Sequence, residues 1–294
     1  MKILIVTHDF KHYSEYKRKM RWGWFPYYFD KLGYKVEYIT KQRWLYYPLI
    51  YLRFRPDIVI GIGKTGALIT ALHHKLSQKL KIFEGLEISK KFQSRPKAKF
   101  VFDLNDHPAF YKNDKRIRFL IRNHDILTTS SYYYSKKYNC EWIINGSNFN
   151  PLKDKVEYDI IYIGQTHSIY NIKKIKEECE KNNIKLKIIS TVPIGEVPKH
   201  IAKSKLCLYS ISWDASAKMT DYAAMGKAVV ALKPNLAEEI GYPAYYTDNL
   251  INGIKLLLKN TKKIKQLESE SLVWFKEHSG TWKEQAEKYL EKIR

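Results

Sequence analysis

The sequence predicts an α/β protein built from two parallel, doubly wound sheets. Three observations lead there. Short apolar runs rich in β-branched residues alternate with helical segments along most of the chain. The alternation lapses in a polar stretch, Ser147 to Glu157, and then restarts with a strand, a glycine turn and a helix. A length of 294 residues is enough for two domains of ordinary size.

In the first half, Lys2 to Thr7 (KILIVT) reads as the opening strand. Phe25 to Leu32 reads as a helix stopped by Gly33, and Lys35 to Thr40 as a second strand. Asp57 to Ile62 is a third strand, Ala67 to Leu80 a helix, and Lys81 to Glu84 a short strand. Lys99 to Leu104 ends in polar Asn105, Asp106 and His107. Asp125 to Thr129 and Glu141 to Asn145 complete the series. In a sheet of this kind ligands bind beyond the carboxyl ends of the strands, so polar residues just past each strand carry the functional expectation.

The second half repeats the scheme. Tyr158 to Ile163 is a strand followed by Gly164, Gln165 and Thr166. Strand-to-loop units follow at Leu186 to Pro198 and Lys205 to Ile211. Ala244 to Thr247 and a helix at Leu250 to Leu258 come later. The remainder is helical, interrupted at His278-Ser279-Gly280, with helical apolar spacing from Trp282 to Ile293.

One stretch organises this half: Ser216 to Lys233, SAKMTDYAAMGKAVVALK. Asp214 and Ser216 are helix-capping types, Ala217 to Met225 are good helix formers, Gly226 is a stop, and Ala228 to Leu232 is a short buried strand. A helix start presents backbone N–H groups and a positive dipole end to an anion. Lys218 adds a full charge in the first turn, and Asp221 lies on the same face three residues on. Cation, N–H groups and carboxylate together suit a phosphate joined to a ribose. An ordinary amphipathic helix feeding a strand fits the same letters.

Composition narrows the classes. A hydrophobic fraction of 45% supports a sizeable core. No apolar run approaches the ~20 residues of a membrane span, and MKILIVTHDF turns polar too soon for a signal peptide. Cys140, Cys179 and Cys207 are odd in number and far apart, which reads as reduced core thiols in a cytoplasmic protein. The net charge of +22 calls for an anionic partner. It is uneven: residues 1–150 hold 28 Lys and Arg against 12 Asp and Glu, residues 151–294 hold 24 against 18.

Within the basic half, Lys11 to Trp24 and Lys41 to Arg55 interleave Lys and Arg with Tyr and Trp. Three readings fit: an anionic membrane surface or lipid-linked acceptor, a plain exposed helix with partly buried rings, and, ranked last, single-stranded nucleic acid. Gly61, Gly63 and Gly66 match G-x-G-x-x-G, but after the third strand and without a suitably placed carboxylate. Position 58 is Ile where a P-loop needs glycine. The expectation is therefore a tight turn that lets a helix pack closely on the sheet.

Lys218, Asp221, Tyr222, Gly226 and the strand after them resemble the K-x-x-E-Y-x-x-x-G-x-x-V signature of retaining GT-B glycosyltransferases of the family-4 type. Ile144 to Phe149 (INGSNF) resembles their N-G-V-D element, and His124 to Ser131 their serine-bearing strand. These elements, with the D-x-x-D-H-P run at residues 103–108 and the terminal Trp-led helix, occur in the family's order over nearly the whole chain.

The resemblance implies two facing Rossmann-like domains: 1–152 for the acceptor, 153–275 for a nucleotide-sugar donor, and a last helix, 276–294, returning to the first. It implies donor contacts at Gly164, Gln165, Thr166, Val192, Asp214, Ser216, Ala217, Lys218, Met219 and Asp221. Asp221 would hold the ribose; Lys218 and the N–H groups of Lys218 and Met219 would hold the diphosphate. Asp106 and His107 are the catalytic candidates, with His8 and Asp9 toward the acceptor or cleft. The activity implied is retaining, metal-independent, hexosyltransferase-like transfer with no cofactor, to a glycan or lipid-linked acceptor. A non-catalytic binding protein on the same fold is the alternative, because the family's Arg is Gln165 here. The family's second Glu is replaced by Trp at position 213, with Asp214 adjacent.

Overall fold

A computed structural model describes residues 1–7, 21–80, 98–104, 114–164, 166, 171–212, 214 and 216–294. It divides into two compact units. Among the described residues one unit comprises 1–7, Phe25–Ile143 and Ala286–Arg294. The other comprises 21–24 and Ile144–Gln285.

The first unit is organised on six parallel strands: β1 (Lys2–Val6), β2 (Lys35–Ile39), β3 (Ile58–Ile62), β4 (Lys99–Leu104), β5 (Ile126–Thr129) and β6 (Glu141–Trp142). Their order is β2-β1-β3-β4-β5-β6. β3 is buried along its whole length, as expected of a central strand covered on both faces. Leu4, Val6, Val59 and Phe100 pack against Tyr47 and Tyr51 of helix Tyr47–Phe54 and Ile69 of helix Gly63–Leu80. Phe25 and Phe29 of helix Arg21–Lys31 meet Tyr289 of the last helix, with ring centroids 5.1 and 6.0 Å apart.

The helix after β3 starts at Gly63, earlier than expected, and the glycine run explains why. A Cβ on Gly66 would lie 2.2 Å from the Val6 carbonyl oxygen. One on Gly61 would lie 2.4 Å from Thr70 Oγ1. The glycines let the helix start against the sheet backbone, so the G-x-G-x-x-G match is a packing device. The first helix likewise starts at Arg21 and keeps Pro26 inside it. β6 is shorter than expected, because the chain leaves the sheet at Ile143 to reach the turn described below. Asp103, which opens the D-x-x-D-H-P run, is fully buried within β4. Thr128 Oγ1 donates to its Oδ1 at 2.6 Å and lies 3.2 Å from the Tyr289 hydroxyl. The expected strand at 81–84 lies outside the described residues.

The second unit has five parallel strands: β7 (Tyr158–Ile163), β8 (Leu186–Ile189), β9 (Ser204–Tyr209), β10 (Val229–Leu232) and β11 (Tyr245–Thr247). Their order is β11-β10-β9-β7-β8. Ile160, Tyr162, Leu206, Leu208 and Val230 form its core with Ile172, Ile254, Leu257 and Leu267 from covering helices. Cys179 and Cys207 are buried thiols, whereas Cys140 is half-buried. Burial pushes Cys207 up to about 12, which leaves it protonated and inert.

Candidate functional site

The site is assembled inside the second unit from three chain segments. Helix Ala217–Ala224 supplies Ala217, Lys218 and Asp221. The end of β7 supplies Tyr162 and Gly164. The turn Asn145–Asn148 supplies Ser147.

The helix is fixed to the strand by its buried side. The Ile163 N–H donates to the Tyr222 hydroxyl at 3.0 Å, and the Tyr242 hydroxyl donates to the Met219 carbonyl at 3.1 Å. This holds the first turn of the helix beside the carboxyl end of β7, which is where a doubly wound sheet binds ligands.

Lys218 lies across that strand end. Its Nζ donates to the Tyr162 hydroxyl at 3.0 Å and sits 4.2 Å from the ring centroid. Gly164 has φ +134°. Few L-residues adopt that backbone, and a Cβ there would lie 2.7 Å from Lys218 Nζ. Burial lowers the ammonium to about 7, because an ion loses hydration as it leaves water.

Asp221 faces the turn. Ser147 Oγ donates to its Oδ1 at 2.6 Å. Burial raises the carboxyl to about 7, and the Ser147 bond opposes that rise. The turn is held in place from behind. Ser279 Oγ donates to the Asn145 carbonyl at 2.7 Å, the Ser147 N–H to the Gly280 carbonyl at 3.1 Å, and the Trp282 N–H to Asn148 Oδ1 at 3.2 Å. Asp221 and Ala217 also line a small cavity with Trp24, Asn148, Phe149, Ile194 and Trp282. A carboxylate set among rings and an isoleucine suits the hydroxyls and apolar face of a sugar or nucleoside.

Other expected residues fall differently. Ser216 occupies the N-cap, but its side chain makes no capping bond. Its hydroxyl is buried with no hydrogen-bond partner among the described residues. The Met219 N–H is not open to a phosphate as expected, because it donates to the Ser216 carbonyl at 2.9 Å. Its side chain is fully buried in the core. Asp214 is buried, and its carbonyl accepts a bond from the Tyr209 hydroxyl. Thr166 is exposed and Val192 half-buried; Ile194, two residues on from Val192, is the one that lines the cavity. Asp106, His107, His8, Asp9 and Gln165 lie outside the described residues.

Sequence reasoning missed Ser147, Tyr162 and the rings around the cavity. Ser147 had a signal, since it stands in the turn that resembles the family's N-G-V-D element. Tyr162 had none, because it reads as one more strand residue. Among the described residues no cluster of His, Cys, Asp and Glu is placed to hold a metal ion.

No protein-family model and no curated protein sequence matches the chain. Solved structures do. HepE of Anabaena, in complex with UDP and glucose, aligns with TM-score 0.67 at 12% identity over 99% of this chain and 98% of that one. Sucrose-phosphate synthase of Thermosynechococcus elongatus aligns with TM-score 0.67 at 7% identity over 99% and 97%. An alpha-glucosyltransferase in complex with UDP and a 13-mer DNA aligns with TM-score 0.56 at 11% identity over 100% and 99%. At such identities the likeness is one of fold. The chain has the GT-B fold of these glycosyltransferases, end to end.

Proposed function

We propose that the protein is a glycosyltransferase that takes a sugar from a nucleotide-diphosphate donor bound in the second unit. The observation that carries this reading is the meeting of Lys218, Gly164 and the Ser147-supported Asp221 at one helix start and strand end. Lys218 supplies a cation for the diphosphate, and Gly164 leaves room beside it. Asp221 accepts from ribose hydroxyls while Ser147 holds its second function, orientation. Stabilising the departing diphosphate lowers the barrier to breaking the sugar–phosphate bond. Transfer with retention, without a metal, to a glycan or lipid-linked acceptor completes the reading. Asp106 and His107 are proposed to serve the acceptor hydroxyl and the reacting centre, with His8 and Asp9 beside the acceptor.

UDP is the first nucleotide to test, because HepE is described with UDP and with UDP-glucose. A thermal-shift series with UDP, GDP, ADP and their sugars is the direct experiment. A nucleotide at 100 times its dissociation constant stabilises the folded state by ~2.7 kcal/mol. Asp221→Ala is expected to weaken the bound nucleotide by at least ~tenfold; unchanged affinity removes Asp221 from the site. Binding without turnover on any sugar donor supports the alternative of a non-catalytic nucleotide- or glycan-binding protein, for which the Gln165 and Trp213 replacements speak.

A further inference from the structure

In the basic, aromatic segment from Lys41 to Arg55 the rings of Trp44, Tyr47 and Tyr51 turn inward, while Tyr46 stays exposed. Trp44 Nε1 donates to the Thr7 carbonyl at 3.3 Å. Tyr47 is buried with its hydroxyl 2.8 Å from His73 Nδ1, and Tyr51 packs edge-on to the same imidazole at 4.3 Å. Beside Tyr46, the large apolar side chains the segment exposes are leucines. Leu45 is 93% exposed, Leu49 65% and Leu52 43%.

The neighbouring helix Gly63–Leu80 does the same. Leu68, Leu72 and Leu76, at four-residue spacing, are 42%, 46% and 59% exposed. Both helices rest on the same side of the sheet, with Tyr47, Tyr51 and Ile69 in one core cluster. Each helix therefore presents a row of leucines on its outward face. Helix Asp114–Arg122 adjoins helix Gly63–Leu80, with Lys75 Nζ 5.4 Å above the Phe119 ring. Residues 41–54, 63–80 and 114–122 contain ten Lys and Arg against one acidic residue, Asp114. Outside those ranges, Glu37 lies 3.4 Å from Arg43.

Soluble proteins rarely leave this much leucine on one face without a partner. A second protein of ordinary composition would not need so one-sided a charge. Apolar rows that sink below the headgroups, beside cations that meet them, are the signature of an interfacial helix. Among the described residues no helix is long and apolar enough to cross a membrane. We propose that this face of the first unit docks on an anionic phospholipid surface, with the six leucines in the acyl boundary and residues such as Arg53, Lys75 and Arg118 at the headgroups. This inference stands apart from the donor reading, since it uses none of the same residues.

The test is co-sedimentation of the full chain with vesicles of phosphatidylcholine alone and with added phosphatidylglycerol. Expected is binding to the anionic vesicles that weakens by ~tenfold or more in neutral vesicles or high salt. Leu49→Ser/Leu72→Ser/Leu76→Ser should cut partitioning by at least ~tenfold while leaving unfolding and nucleotide thermal shifts unchanged, because all three side chains are exposed. Arg53→Glu/Arg118→Glu should remove the preference for anionic vesicles. The proposal is overturned if no vesicle binds, or if the leucine variant binds as the wild type does. It is equally overturned if the leucines instead support a concentration-dependent dimer without vesicle binding. Vesicle binding in a protein that ignores every nucleotide would sink the donor reading alone.

Discussion

Lys218 and Asp221 titrate in opposite senses about the same point. Lys218 serves an anion only when protonated, below about 7. Asp221 accepts hydroxyl protons best when ionised, above about 7. Nucleotide affinity is therefore expected to peak near neutrality and to fall on both sides. Isothermal titration across the pH range checks this, and Lys218→Arg should abolish the alkaline fall because guanidinium keeps its charge. A flat profile would mean that neither group touches the ligand. The empty protein carries the reciprocal signature. Folded Asp221 binds more protons than unfolded below about 7, and folded Lys218 fewer above it. Their joint contribution to stability is thus lowest near neutrality. An anion that restores the charge on Lys218 takes up protons as it binds.

At the level of elements, the start of helix Gly63–Leu80 is set by contact with the sheet. Gly66→Ala would place a methyl group 2.2 Å from the Val6 carbonyl oxygen, backbone that cannot rotate away. A loss of ~2–4 kcal/mol is expected in urea unfolding, with nucleotide binding in the surviving folded fraction unchanged. The same helix carries an acid-sensitive group. Burial lowers His73 to about 4, and it lowers His124, 2.8 Å from Thr70 Oγ1, to about 4. Both folded values lie below the ordinary 6.5. The unfolded chain therefore binds more protons between 4 and 6.5, and stability is complete above that window and lost as pH falls through it. The loss should be on the order of a few kcal/mol. Melting curves across that window measure it, and His73→Gln should flatten the slope.

Across the whole molecule, the two-sheet plan was legible because strand and helix periods differ and because the pattern visibly restarts after Glu157. Helix Ala217–Ala224 was legible for a similar reason: capping types, helix formers and a stop glycine sit in a row. What stayed hidden depends on direction. Letters alone do not say that Trp44, Tyr47 and Tyr51 turn inward while Tyr46 and the leucines turn out, since both satisfy an amphipathic pattern. Nor do they say that Ser216 fails to cap, or that Asp103 is buried in β4 against Thr128. The sequence marked the segment holding Ser147 but not its partner, Asp221, which folding brings to it across 74 positions. The last helix is the widest example of such distant assembly. Tyr289 is fully buried between Phe25 and Phe29, and Tyr289→Ala should cost ~3–5 kcal/mol in denaturant unfolding.

That distant helix also bears on biosynthesis. The first unit's described core includes Ala286–Arg294, separated from Ile143 by the whole of Ile144–Gln285. A ribosome therefore releases six strands of sheet long before the aromatic plug that seats on Phe25 and Phe29. Until those final turns emerge, the nascent first unit waits with one flank of its core open. Its partner unit, made of 21–24 and Ile144–Gln285, is complete once Gln285 emerges. The half made first is finished last.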